Sequence, residues 1–262
     1  MILELPFVTA GLIVGTIVGL TGVAGGALMT PILVMLFGIA PTTAVGTDLL
    51  YASVTKIFGT AVHQKHGTID WQVVRRLALG SLPAAALTLW WMEAHRVGGV
   101  KDGAIILAIG IALAITALGM IFKDRLNDLG TKLRIGDSAR FKAMQPGLTV
   151  LAGGFLGVIV TMTSVGAGAI GTVMLVYLYP LRMTGGRLVG TGLAHAIPLT
   201  LIAGLGHLSL GNVNLPVMVN LLVGSVPGVI VGSLISSRAP AKFVQYTIAG
   251  VLLVVSFKMI TH

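Results

Sequence analysis

Lys56 lies in the middle of a run of apolar residues, and a lysine in that setting has few chemical uses. A cation carried into hydrocarbon costs at least about 2.5 kcal/mol, so such a residue is a candidate for holding a negative charge. The competing reading is that its stem carries the amine out to the interface, six or seven residues away. Asp48 is the nearest acid on the same predicted helix, Ala44–Val62. Eight residues separate them, about 12 Å along the axis and some 80° around it, so they make no direct pair within the helix. Asp48 is expected to cap the helix start together with Thr47, with ion coupling or gating as its alternative role.

The second candidate chemistry belongs to the backbone. Thr21-Gly22-Val23-Ala24-Gly25-Gly26-Ala27-Leu28-Met29-Thr30-Pro31 interrupts one apolar run, and Thr163-Ser164-Val165-Gly166-Ala167-Gly168-Ala169-Ile170-Gly171-Thr172-Val173 interrupts another. Glycine is costly in a helix interior, and broken backbone survives in a membrane only where protein or a watery cavity surrounds it. Helix starts at such breaks present free N–H groups backed by the helix dipole, which bind anions. Thr30-Pro31 has the form of an N-cap followed by a first-turn proline. Two such termini facing one another near the bilayer midplane would make a socket for a tetrahedral or pyramidal oxyanion. Gly22, Gly25, Gly26, Gly166 and Gly168 would supply backbone, and Thr21, Thr163 and Ser164 hydroxyl donors. Close helix packing through small residues explains the glycines equally well.

Histidines form a third set. His63 and His207 end their predicted helices, before Gly67 and Gly211, where anchoring or capping is expected and gating or proton relay is the candidate function. His195 lies inside its helix, better placed to line a pore or relay protons. His66 follows His63 at metal-ligand spacing, but no HExxH pattern or third ligand accompanies it, so neither metal nor cofactor is expected. The chain has no cysteine, which excludes disulfides and thiolate metal sites. It also lacks a GxxxxGK[ST] nucleotide loop, so any driving force is an ion gradient, the membrane potential or the substrate gradient.

The elements that must position these groups are membrane helices. Of the 262 residues 55% are hydrophobic and only 10% charged, with a mean hydropathy of +0.99. Soluble chains are typically about 25% charged. Gly103–Phe122 and Leu215–Ser237 carry no charge at all and approach the roughly 20 residues needed to cross a bilayer. The N-terminus has Glu4 and no basic residue before Leu20, so no cleaved signal peptide is expected. A net charge of +9 suits an anionic membrane face or an anionic substrate. No nucleic-acid partner is expected, and a homodimer stays open.

The chain also repeats itself. Val45-Gly46-Thr47-Asp48-Leu49-Leu50-Tyr51-Ala52 matches Val189-Gly190-Thr191-Gly192-Leu193-Ala194-His195-Ala196, and Leu79-Gly80-Ser81-Leu82-Pro83 matches Val223-Gly224-Ser225-Val226-Pro227. His63 meets His207 and Asp70 meets Asn214 in the same register. The expected fold is therefore all-α and polytopic, with repeats at 1–122 and 147–262 and a basic cytoplasmic connector at 123–146. In each repeat a Gly-rich broken segment, Pro6–Ile39 or Leu148–Leu181, precedes three transmembrane helices. Pro83 and Pro227 are expected to kink two of these. In the connector, Leu126, Leu129 and Leu133 could form a short amphipathic surface helix, with a solvated linker as the plainer reading.

If each broken segment crosses the membrane, the repeats are parallel and Lys and Arg divide ten to six between the two sides. If each is a re-entrant hairpin, the repeats are inverted and the division becomes thirteen to three. The positive-inside bias favours the inverted arrangement.

Gly22-Val23-Ala24-Gly25-Gly26, Val45-Gly46-Thr47-Asp48, His66-Gly67-Thr68-Ile69-Asp70-Trp71 and Gly80-Ser81-Leu82-Pro83, echoed by Val189-Gly190-Thr191 and Gly211-Asn212-Val213-Asn214, resemble the TauE/SafE sulfite exporter family across nearly the whole chain. The resemblance implies a bacterial inner-membrane secondary transporter that exports sulfite or an organosulfonate such as sulfoacetate, and no enzyme. Gly192 and Asn214 depart from the acids of the first repeat, which puts acid-based coupling in the second half in doubt. The alternatives are a membrane-embedded metal-dependent enzyme built on His and Asp, a transporter of another small oxyanion, and a lipid-interacting factor that moves no solute.

Overall fold

The computed structural model describes residues 3–21, 25–94, 102–136, 138–183, 185–235 and 241–261. Helices account for nearly all of these residues, and no strand occurs among them. The first half contains α1 (Leu5–Thr21), α2 (Gly25–Met35), α3 (Pro41–Lys65), α4 (Trp71–Ala94) and α5 (Asp102–Ile121). After α6 (Lys123–Gly136), the second half contains α7 (Ser138–Thr163), α8 (Ala169–Leu178), α9 (Gly185–Ser209), α10 (Leu215–Ile235) and α11 (Ala241–Thr261).

Local sequence accounts for several boundaries. Pro41 opens α3 at a position where its missing N–H has no intrahelical acceptor to lose. Gly67 and Gly211 take positive φ values of 62° and 76°, letting the N–H groups of Thr68 and Asn212 close back onto the carbonyls of His63 and His207. Asp70 and Asn214 cap α4 and α10 by accepting the N–H groups of Val73 and Val217. Pro83 and Pro227 lie inside α4 and α10.

α5, α7, α9 and α10 each contain a stretch long and apolar enough to cross a bilayer, and α1, α8 and α11 are shorter apolar helices. Large apolar side chains such as Leu87, Leu151, Val254 and Phe257 face outward, as a lipid environment requires. The chain is a multi-pass membrane protein. α3 is different: it is the most polar of the long central helices and is buried along most of its length.

Close backbone approaches define how the helices run. Gly11, Gly15 and Gly19 of α1 face the backbones of Leu221, Ser225 and Val229, so α1 and α10 are parallel. In the same way Gly153 and Gly157 of α7 face Leu77 and Ser81 of α4. α3 runs antiparallel to α9, with Gly46 beside His207, Leu50 beside Gly204, Gly59 beside Leu193 and His63 beside Gly190. α3 is parallel to α10, since Thr47 accepts the Asn214 N–H at 2.9 Å and Thr55 meets Ser225 at 3.0 Å. α4 is parallel to α9, since Thr191 accepts the Asp70 N–H at 3.0 Å and Ser81 meets His195 at 2.9 Å.

It follows that α1 and α3 point the same way, and so do α7 and α9. The intervening α2 and α8 must bring the chain back. They do: the Phe7 and Phe37 rings stack with centroids 4.3 Å apart, and the hydroxyls of Thr149 and Tyr179 are 2.8 Å apart. Gln145 also donates to the Leu178 carbonyl. Each broken segment is thus a helical hairpin, open at one end and closed at the glycine-rich break.

The connector differs from a solvated linker. α6 covers most of it and packs on α7 and α8, with Leu126 half-buried and Leu129 exposed. α7 begins at Ser138, well before residue 147, so the connector's end is already part of the second hairpin.

Candidate substrate site

At the centre of the bundle, α3 carries the polar groups that matter most. Asp48 is wholly buried and Lys56 is 4% exposed. Asp48 does not cap a helix: α3 starts at Pro41, seven residues earlier, and Ala40 is the N-cap. Thr47 instead bonds across to α10. Thr30 of α2 donates to Asp48 Oδ2 at 2.6 Å, while Oδ1 has no hydrogen-bond partner. Ser164, at the closed end of the second hairpin, approaches the same carboxylate without completing a bond, and its hydroxyl is likewise unpartnered. Lys56 and Asp48 are within electrostatic reach of one another although they are not directly paired.

His195 of α9 bonds Ser81 of α4 through Nε2 and lies within electrostatic reach of Lys56. On the opposite side the Tyr51 hydroxyl faces Ser225 and Thr55 without a hydrogen bond of good geometry. Asp48, Lys56, Tyr51 and Thr55 come from α3. Thr30, Ser164, Ser81, His195 and Ser225 come from α2, the second break, α4, α9 and α10. One buried polar centre therefore draws on both halves of the chain.

The breaks contribute less uniformly than the sequence suggested. Gly22 lies outside the described residues, and Gly25 and Gly26 open α2. Thr30-Pro31 falls inside α2, so it is not a helix start, because the helix is already running from Gly25. Thr21 donates to the Ile17 carbonyl and Thr163 to the Ile159 carbonyl, as hydroxyls four residues along a helix readily do, so neither keeps its hydrogen for a ligand. Thr163 also accepts the Val165 N–H. Ser164 does keep its hydrogen, and it holds a left-handed φ of 58°. Gly166 is left-handed too, with φ 109°, and Gly168 precedes α8 without any side-chain cap on its first turn.

The breaks also stand at different depths. Ser164 is beside Asp48, whereas Gly19, near the end of α1, packs on Val229, which is beside Gly59. Positions 48 and 59 are eleven residues apart on α3, about 16 Å, so the closed ends pass one another and do not face across a midplane.

His63 and His207 make no bond to the groups of this centre. The first bonds Thr68 through Nδ1 and the second bonds the Thr161 carbonyl through Nε2, each in the last turn of its helix beside Gly190 or Gly46. Their geometry is that of capping and packing. His66 bonds the Val62 carbonyl, and no three His, Asp or Glu residues gather as metal ligands among the described residues.

Sequence reasoning missed the roles of Thr30, Ser81, Ser225 and Thr55. Ser81 and Ser225 occupy matched positions in the two Gly-Ser-x-Pro motifs, and Thr47 and Thr191 likewise, which was the available signal. It also missed the ion pair of Arg182 with Asp70, which ties the end of the second hairpin to the start of α4. Arg76 reinforces that junction by donating to the Tyr179 hydroxyl at 3.1 Å.

Lipid-facing helices wrapped around a buried charged centre, with two hairpins closing inside the bundle, define a polytopic membrane protein whose polar groups face inward. The chain belongs to the sulfite exporter TauE/SafE family, whose model matches residues 7–259. It is 39% identical over 266 residues to a Bacillus subtilis protein named "Probable membrane transporter protein YjnA", covering 98% of this chain and all of that one. It is 27% identical to the same organism's "Probable membrane transporter protein YdhB", covering 92% of this chain and 96% of the relative. A "Probable membrane transporter protein" of Xylella fastidiosa is 26% identical, covering 89% and 85%. No solved structure matches significantly.

Proposed function

We propose that this chain is a secondary transporter that exports a small sulfur-containing anion, sulfite or an organosulfonate such as sulfoacetate, across the bacterial inner membrane. It works by alternating access and not as an enzyme. The observation that carries this reading is Lys56, a cation held inside the bundle with no carboxylate directly on it among the described residues. A buried ammonium with no hydrogen-bonded counter-ion is a candidate anion site. Ser164, beside Asp48, and the uncapped first turn of α8 add donors to the same buried centre, and family membership supports the substrate class.

The two halves are inverted repeats. Antiparallel α3 and α9, parallel α1 and α10, parallel α4 and α7, and the paired bonds of Thr47 and Thr191 all support a two-fold axis in the membrane plane. Each hairpin is then re-entrant, one from each side. The charge bias puts α6 and the open end of the second hairpin in the cytoplasm.

The test is anion flux into proteoliposomes, with sulfite, thiosulfate, sulfate, sulfoacetate, taurine and phosphate compared. A charge-assisted bond to an anion is worth about 1.5–3 kcal/mol, so Lys56→Met should weaken binding roughly 10- to 150-fold. Unchanged flux in a normally expressed Lys56→Met protein removes Lys56 from the site. Flux of phosphate or sulfate alone moves the substrate to another oxyanion.

A further inference from the structure

We infer that Asp48 is the site of a coupling proton, taken up as the anion binds near Lys56. This rests on the transport reading above and adds the ion that accompanies the anion. Two polar atoms of the bundle centre, Asp48 Oδ1 and Ser164 Oγ, have no hydrogen-bond partner, Ser164 approaches the Asp48 carboxylate, and both residues are at least 97% buried. The other carboxylate oxygen is held by Thr30. A carboxylate so placed has one vacant oxygen beside a hydroxyl that can accept an O–H, which is a proton site with its acceptor in place.

Charge balance supplies the coupling. With no anion present, Asp48 and Lys56 offset one another. An anion drawn to Lys56 brings a second negative charge into the same buried region, where repulsion is poorly screened. One proton from the bulk, bound at Asp48 Oδ1 with its O–H donating to Ser164 Oγ, cancels that charge. A monoanion and its proton then cross with no net charge, and a dianion such as sulfoacetate with one negative charge in place of two. Outward movement draws on the anion's own gradient, since the proton travels with it.

Competing titratable groups around Asp48 are few. α3 contributes Lys56 and Tyr51. α9 contributes His195, bonded to Ser81, and His207, bonded to the Thr161 carbonyl. α2 and α10 contain no titratable side chain, α5 has only Asp102 at its start, and the second break has only hydroxyls. A proton cycle of Asp48 would also reach the hairpins. Thr30 belongs to the first and Ser164 to the closed end of the second, so the carboxylate touches both elements that alternating access must move.

The experiment measures sulfoacetate affinity of the purified full-length protein by thermal shift from pH 6 to pH 8.5, a range in which sulfoacetate itself stays ionised. A pH dye in weak buffer reads proton uptake on binding. The expected result is proton uptake, with affinity falling as pH rises, by up to about tenfold per pH unit as one linked proton dictates. Asp48→Asn should bind with an affinity independent of pH. Binding by the wild type without proton uptake overturns the inference and leaves the transport reading standing, whatever becomes of the variant. A pH dependence that survives in Asp48→Asn, or is lost instead in His195→Gln, overturns it as well. If neither sulfoacetate nor any other anion of the flux panel binds the wild type, the transport reading itself falls and takes the coupling with it.

Discussion

A single hydroxyl decides how Asp48 is held. Thr30 donates the one hydrogen bond that reaches its carboxylate with good geometry, from a residue eighteen positions away on α2. Thr30→Val keeps the shape and removes the donor, leaving both carboxylate oxygens without a partner in a buried site. A lost hydrogen bond to a buried charge costs about 1–3 kcal/mol, so thermal unfolding in detergent should occur several degrees lower. An unchanged melting temperature would mean that the carboxylate finds another donor. Lys56 contributes differently. It has no such bond to lose, so Lys56→Met should impair anion binding more than stability.

Pairs of helices are held by how closely their backbones approach. At Gly80 an added Cβ would lie 1.9 Å from the Val150 carbonyl oxygen, and at Gly224 the same distance from that of Val8. Neither position can give way without parting α4 from α7 or α10 from α1. At Gly59 the nearest atoms are side-chain methyls, 3.4 Å away on Leu193 and 3.6 Å away on Val229. Gly80→Ala and Gly224→Ala should therefore lose the monodisperse peak in fluorescence-detected size exclusion, while Gly59→Ala keeps it. Equal behaviour of the three would show that these glycines serve something other than contact. Gly192 is buried, yet a Cβ added there would meet nothing within 4 Å, so Gly192→Ala should keep the monodisperse peak as well.

Across the whole molecule, the inverted arrangement proposed above makes a prediction about sidedness. The chain lacks cysteine, so single cysteines can be added without removing any. Leu36 and Leu181 are exposed at the open ends of the two hairpins. In intact cells a membrane-impermeant maleimide should label Leu36→Cys and leave Leu181→Cys unlabelled until the cells are opened. Asp124→Cys in α6 should behave like Leu181→Cys. Labelling of Leu36→Cys and Leu181→Cys from the same side would restore the parallel arrangement.

What could be read in the chain itself was whatever is local or periodic. Apolar composition announced the membrane, glycines marked the two breaks, and the matched motifs from Val45 and Val189 set one half against the other. Charge counting pointed to hairpins, and the Phe7–Phe37 and Thr149–Tyr179 contacts show each broken segment folding back on itself. Local patterns cannot say which polar groups meet, because that depends on helices far apart in sequence. Thr30-Pro31 carries every local sign of a helix start and lies within α2. Thr21 and Thr163 look like free donors and bond their own helices. Asp48, Thr30 and Ser164 come together only when α2, α3 and the second hairpin are packed, and that packing assembles the buried centre.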